Sequence, residues 1–264
     1  MKTLIVGRTS TGKDSLKDIL INTYGWNFVK STTNRPKRTE DEDTHVFLSD
    51  EEAKAVPNED KVAKTVINGY EYFASRQQVN DADAYIIDPE GVYMLLRNMP
   101  EEWFIIVYMQ PASADVQEEM ALRRSDDPEK EIKVFHSRKE SEDAQFTLFE
   151  EKMNNGTKLA DNCDTILSFT NTYKYKDLED LAISLELRRR FHKNIRPMIQ
   201  DLIDTNIMNH DENGNPILTF SDNTPLAIPI DGLAEYLYEN EAMLGNMTKH
   251  WLQLAKQEEP DNEG

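Results

Sequence analysis

Apolar residues gather in short runs from the start of the chain. Thr3-Leu4-Ile5-Val6 leads into a glycine, and residues 15–23 beyond it carry apolar positions at helical spacing. Residues 84–88 and 103–109 are apolar nearly throughout, the pattern of central strands covered on both faces, and residues 165–169 read as a last strand. Strand-length runs alternating with helix-period segments predict an α/β fold built on a parallel sheet flanked by helices.

The polar stretch 30–75 interrupts that rhythm. Its short alternating segments at 45–48 and 62–67, with an Asn68-Gly69 turn signal, predict a small subdomain facing a substrate. Residues 118–149 are charged and helix-favouring and break once at Asp126-Asp127-Pro128, as two helices of a lid would. A solvated helical hairpin has the same pattern. After Leu187 the pattern changes: Arg188-Arg189-Arg190 is expected to open a helix to about residue 208, followed by a loop at 211–216. A hairpin within 217–230, a helix over 231–255 and a disordered acidic tail at 258–264 complete the expectation. The chain thus reads as a domain over 1–187 and a mostly helical extension over 188–264.

With 264 residues, 38% of them hydrophobic, the chain can bury a full core. The net charge of -19 argues against a general nucleic-acid or anionic-membrane binder, because a polyanion would be repelled before local contacts formed. A phosphate-bearing ligand would need a basic pocket inside this acidic envelope. The single cysteine, Cys163, cannot form an internal disulfide and reads as a small buried apolar residue. The opening apolar run is too short for a signal peptide and no segment reaches the length of a membrane span, so a cytoplasmic protein is expected.

The loop after the first run reads Gly7-Arg8-Thr9-Ser10-Thr11-Gly12-Lys13 and precedes a helical segment. That context lets backbone N–H groups and a helix N-terminus hold phosphates, which makes it a P-loop signal. Lys13 would reach the β- and γ-phosphates of a bound ATP. Asp14 stands where a Ser or Thr hydroxyl normally meets Mg2+, and Ser15 comes one residue later. A carboxylate is a competent hard-oxygen ligand for magnesium, so Asp14 is the candidate metal ligand.

The second informative run, Ser31-Thr32-Thr33-Asn34-Arg35-Pro36-Lys37-Arg38, is the densest positive charge in the N-terminal half. Its two arginines could grip a phosphate by bidentate hydrogen bonds, and an exposed basic loop would explain it equally well. Together with His45-Val46-Phe47, Tyr70-Glu71-Tyr72 and Asp88-Pro89-Glu90-Gly91, this run resembles the monophosphate-binding segments of the guanylate kinase family in order and spacing. The resemblance covers roughly residues 1–185. It implies that Ser31, Arg35, Arg38, His45, Tyr72 and Asp88 contact an acceptor nucleotide and that lid arginines, Arg124 and Arg138, close over the phosphates. Arg123 is an alternative to Arg124. The family's tyrosine is replaced by His45, whose imidazole can still donate to phosphate.

Other departures bear on specificity. The family's glutamate and serine that read the guanine edge correspond to Ala63 and Ala74, with Lys64 and Ser75 beside them. Losing such groups should forfeit much of the base discrimination, leaving GMP or dGMP first and a broader deoxynucleoside monophosphate range close behind. Ile86 stands where the family usually has an acidic residue near magnesium, so Asp14 is expected to take over organisation of the metal.

The resemblance therefore implies γ-phosphoryl transfer from ATP to a nucleoside monophosphate with Mg2+, resting on alignment and charge neutralisation by Lys13 and the lid arginines. A non-catalytic interaction module is the rival reading, although such modules commonly lose the loop lysine or glycines that this chain keeps. In the extension, Leu202, Ile203, Leu233, Leu237, Leu244, Trp251 and Leu252 are expected to pack on their own domain or on a second subunit, as in a homodimer. His136, His192 and His210 lack metal-ligand spacing.

Overall fold

The computed structural model describes residues 1–37, 39–67, 69–123, 127–155, 157–205, 208–219, 225–240 and 244. In chain order the elements are β1 (Lys2–Gly7), α1 (Lys13–Tyr24), β2 (Thr32–Thr33), β3 (Val46–Phe47), α2 (Asp50–Ala55), β4 (Lys61–Ile67), β5 (Tyr70–Ser75), α3 (Arg76–Asn80) and β6 (Ala84–Ile86). They continue with α4 (Pro89–Asn98), β7 (Phe104–Pro111), α5 (Ala114–Leu122), α6 (Pro128–Asn154), β8 (Cys163–Asn171), α7 (Tyr175–Asp204), β9 (Ile217–Thr219), β10 (Pro225–Ala227) and α8 (Ile230–Glu239).

Two compact units divide the chain, Met1–Ile183 and Ser184–Gly264. The first is α/β. Its main sheet has the order β6-β1-β7-β8 with every pairing parallel, and helices flank it. Leu4, Ile5 and Val6 on β1 and Phe104, Ile105, Ile106 and Val107 on β7 are all fully buried, so successive residues on both faces meet apolar neighbours. That two-sided burial is why these strands read as unbroken apolar runs rather than alternating ones. Cys163 is buried in the main core, as a small apolar residue would be.

A second sheet, β3-β2-β5-β4, is mixed and belongs to the polar stretch. The β4–β5 hairpin is paired from Ile67↔Tyr70 to Lys61↔Ser75. Buried Lys61 donates to the Ala53 carbonyl (2.9 Å) and to Glu71 (2.5 Å), which supplies the partners that a buried ammonium requires. Local caps end the loops: Ser49 and Ser75 each form a capping box at the starts of α2 and α3.

In the second unit, Ile195, Met198, Ile199, Leu202 and Ile203 pack with Leu233, Ala234 and Leu237 into a separate apolar core, with Leu244 against it. Strands β9 and β10 form the expected antiparallel hairpin. Buried His192 meets Glu235 at 2.7 Å, and Arg188 pairs with the same carboxylate.

Two expectations about this part are corrected. No helix opens at Arg188, because α7 runs unbroken from Tyr175 and carries apolar positions from Leu178 through Leu185 to Leu202 at helical spacing with no breaker near 188. Helix α8 ends at Glu239 rather than running on without a break, because the Asn240 N–H turns back to the Leu237 carbonyl; Leu244 is again helical. The remainder of the expected helix to 255, with Trp251 and Leu252, and the acidic tail lie outside the described residues.

Candidate functional site

The loop between β1 and α1 sits at the carboxyl edge of the parallel sheet, where open α/β sheets carry their ligands. Gly7 is required by close approach: a Cβ there would lie 2.6 Å from the Met109 carbonyl oxygen and 2.7 Å from Thr11 Oγ1. Gly12 has φ +90°, a conformation that side-chain-bearing residues rarely adopt, and a Cβ there would lie 2.3 Å from Asn171 Nδ2. Ser10 also lies at positive φ, 59°, a strained setting for a residue other than glycine.

The five carbonyls from Gly7 to Thr11 all receive donors. Lys13 Nζ donates to the oxygens of Gly7 (2.7 Å) and Arg8 (2.6 Å), and Gln117 Nε2 donates to that of Thr9 (2.7 Å). The Tyr173 hydroxyl donates to the Ser10 oxygen, and Asn171 Nδ2 to that of Thr11 (2.9 Å). With these acceptors engaged, a backbone N–H of the loop is turned toward an anion, as in an anion-binding nest. The Thr9 N–H meets a carboxylate: Glu142 on α6, at 3.0 and 2.9 Å from its two oxygens. Burial pushes the Glu142 carboxyl up, opposed by the Thr9 N–H and the charges of Lys13, Arg8 and Arg138. Arg138 thus acts on the same carboxylate as Lys13, one turn before it on α6.

Arg8 ties the loop to the same helix. Its guanidinium makes a two-pronged pair with Glu150 (2.7 and 2.9 Å), bonds Asp143, and lies over the Phe146 ring. The bond to Glu150 is the main reason its pKa is raised. Beside it opens a cavity of about 410 Å3 lined by Arg8, Tyr108, Ser113, Gln117 and Lys139 among others, a volume in the range of small-molecule sites. Asp14 and Ser15 are exposed in the first turn of α1. Among the described residues no three His, Cys, Asp or Glu side chains converge as a metal cage. A magnesium ion at Asp14 would complete its shell from phosphate and water oxygens, as this ion ordinarily does.

Four of the candidate acceptor residues come together on the second sheet. Strand β2 pairs with both β3 and β5, setting Thr33 opposite Phe47 and Tyr72. Ser31 Oγ lies 2.9 Å from His45 Nδ1, and the imidazole meets the Tyr72 ring edge-on at 5.4 Å between centroids. Arg35 Nε donates to the Tyr72 hydroxyl (3.1 Å), and its other nitrogens hold Glu42 (2.7 and 3.2 Å). The Glu42 hydrogen bond raises the Arg35 pKa against its burial. Asp88 caps α4 by accepting from the Gly91 N–H (2.9 Å), and burial pushes its carboxyl up. Tyr85 connects the two groups: burial raises its pKa, the Asp88 charge adds to that, and a hydrogen bond to Ser31 opposes it.

Because Ile5 pairs with Ile86 in parallel register, Gly7 at the end of β1 and Asp88, two residues past the end of β6, lie at the same edge of the sheet. Arg38 and Arg124 lie outside the described residues. Arg123 pairs with Glu119 one turn back. Ala63 and Ala74 face each other in register and are buried, Lys64 pairs with Glu71 (3.2 Å), and Ser75 caps α3. Sequence reasoning missed Gln117, Glu142, Asn171, Tyr173, Glu42 and Tyr85. Asn171 alone carried a signal, as a polar residue ending the last sheet strand.

Comparison with protein-family models and with characterised proteins returns no match. Among solved structures, the chain is similar to a guanylate kinase from Anaplasma phagocytophilum, at 14% identity and a TM-score of 0.41, over 71% of this chain and 85% of that one.

Proposed function

We propose that the protein transfers the γ-phosphoryl group of ATP to a nucleoside monophosphate, with GMP or dGMP the first candidates and other deoxynucleoside monophosphates close behind. The observation that carries this reading is the loop 7–13, whose carbonyls from Gly7 to Thr11 are all engaged while the Thr9 N–H meets an anionic oxygen pair. A loop that seats a carboxylate in this way has the donors to seat a phosphate. Support comes also from the Ser31, Arg35, His45 and Tyr72 group and from Asp88 on the same sheet edge as Gly7.

In this mechanism Lys13 leaves the Gly7 and Arg8 carbonyls for the β- and γ-phosphates, and Arg138, with Arg124, shields the transferred group. Arg35, with Arg38, and the Tyr72 hydroxyl hold the acceptor phosphate, His45 donates to it, and Ser31 and Asp88 address the base. Bound magnesium would supply charge neutralisation at the donor phosphates, with Asp14 as its protein ligand. The acceptor phosphate is ionised near neutral pH, so alignment replaces a general base.

A coupled-ADP assay against GMP, dGMP, dAMP, dTMP and dCMP tests the reading. Lys13→Ala should lower turnover by about 10²- to 10³-fold, the scale for removing one donor to transition-state charge, without loss of fold. No turnover with any acceptor despite tight ATP binding would favour an interaction module instead.

A further inference from the structure

We infer that Glu142 is a built-in competitor for the phosphate cradle, a carboxylate of the chain's own that occupies the loop until the nucleotide displaces it. The inference rests on the kinase reading above. Both Glu142 oxygens lie at hydrogen-bond distance from the Thr9 N–H, the kind of donor that a P-loop turns toward phosphate. The positive charges acting on the carboxylate are those of Lys13 and Arg8 on the loop and Arg138 on its own helix. Two of these, Lys13 and Arg138, are the groups the transfer reaction would use. A negative charge gathered among such cations copies the ligand in charge and in acceptor geometry.

The surroundings separate this role from simple packing. Burial disfavours the ionised form of Glu142, so the carboxylate is held by the amide and the cations rather than by solvent. The docking of α6 does not depend on it, because Arg8 already binds Glu150 and Asp143 and covers the Phe146 ring. Glu142 can therefore withdraw by side-chain rotation while the helix stays in place. Its displacement opposes nucleotide binding, and the apparent affinity of the wild type falls below that of an open loop.

The test is calorimetric titration of ATP, and of inorganic tripolyphosphate as a probe lacking a base, into the wild type, Glu142→Gln and Glu142→Ala, each checked for fold by far-ultraviolet circular dichroism. Glu142→Gln keeps the shape and removes the charge. Each variant should bind ATP about tenfold more tightly or better, the low end of what a hydrogen bond to a charged group contributes. Unchanged or weaker binding of both probes in both variants overturns the competitor role, and the kinase reading then stands or falls on turnover alone. Tighter tripolyphosphate binding in the variants, with no binding of ATP by any of the three proteins, upholds the competitor role and overturns the ATP-kinase reading.

Discussion

Asn171→Ala is the perturbation that most directly asks what shapes the loop. Asn171 is fully buried at the end of β8; its Nδ2 donates to the Thr11 carbonyl (2.9 Å) and its Oδ1 accepts from the Tyr173 N–H (2.7 Å). The variant strands a fully buried acceptor and a half-buried donor, and it empties the space that lies against Gly12. A stranded buried polar group costs about 1–3 kcal/mol, so the two together should cost about 2–4 kcal/mol, with the Thr11 carbonyl the larger share. For a unit of this size that corresponds to a Tm about 5–12 °C lower. Urea unfolding followed by circular dichroism gives the free energy, and ATP titration should show weaker binding, since Thr11 and Tyr173 both support the loop. Asn171→Asp keeps the acceptor for Tyr173 but sets a carboxylate oxygen against the Thr11 carbonyl, so it should be no better than alanine. A loss below about 0.5 kcal/mol for both variants, the range of surface substitutions, would refute the account of the loop as held from outside by side-chain donors.

Arg35→Ala should raise the KM for the monophosphate while leaving that for ATP near the wild-type value, because Arg35 is held among Tyr72, Glu42 and Phe47 rather than at the donor loop. Steady-state kinetics with each substrate varied in turn checks this, and an equal rise for ATP would contradict the assignment. Stability should fall as pH drops. Burial works against the Glu71 and Glu150 carboxylates, yet Lys61 and Lys64 hold the first, and Arg8 and Tyr108 the second, below the usual carboxylate range. Groups with a depressed folded-state pKa contribute fully above the unfolded value and lose that contribution as pH falls through the folded one. Tm measured from neutral into acid conditions should therefore decline, and more gently in Glu150→Gln; identical slopes in the two proteins would count against it.

Local chemistry made part of this protein legible in one dimension. The buried strands announce themselves as apolar runs because both faces of the parallel sheet are covered. The loop is legible because close approach at Gly7 and the left-handed turn at Gly12 both demand glycine, and Lys13 follows at the start of a helix. The Ser31 to Tyr72 group was legible through short polar and aromatic motifs that one small sheet gathers. The continuity of α7 was misread because a run of three arginines changes the charge pattern without changing helical periodicity. What fills and shapes the loop was decided only by tertiary structure. Gln117, Glu142, Asn171 and Tyr173 lie more than a hundred residues from the carbonyls and amide they engage, and no local pattern links them. The physical reason is that a buried backbone group must find a partner in space, and the fold alone determines which side chain arrives.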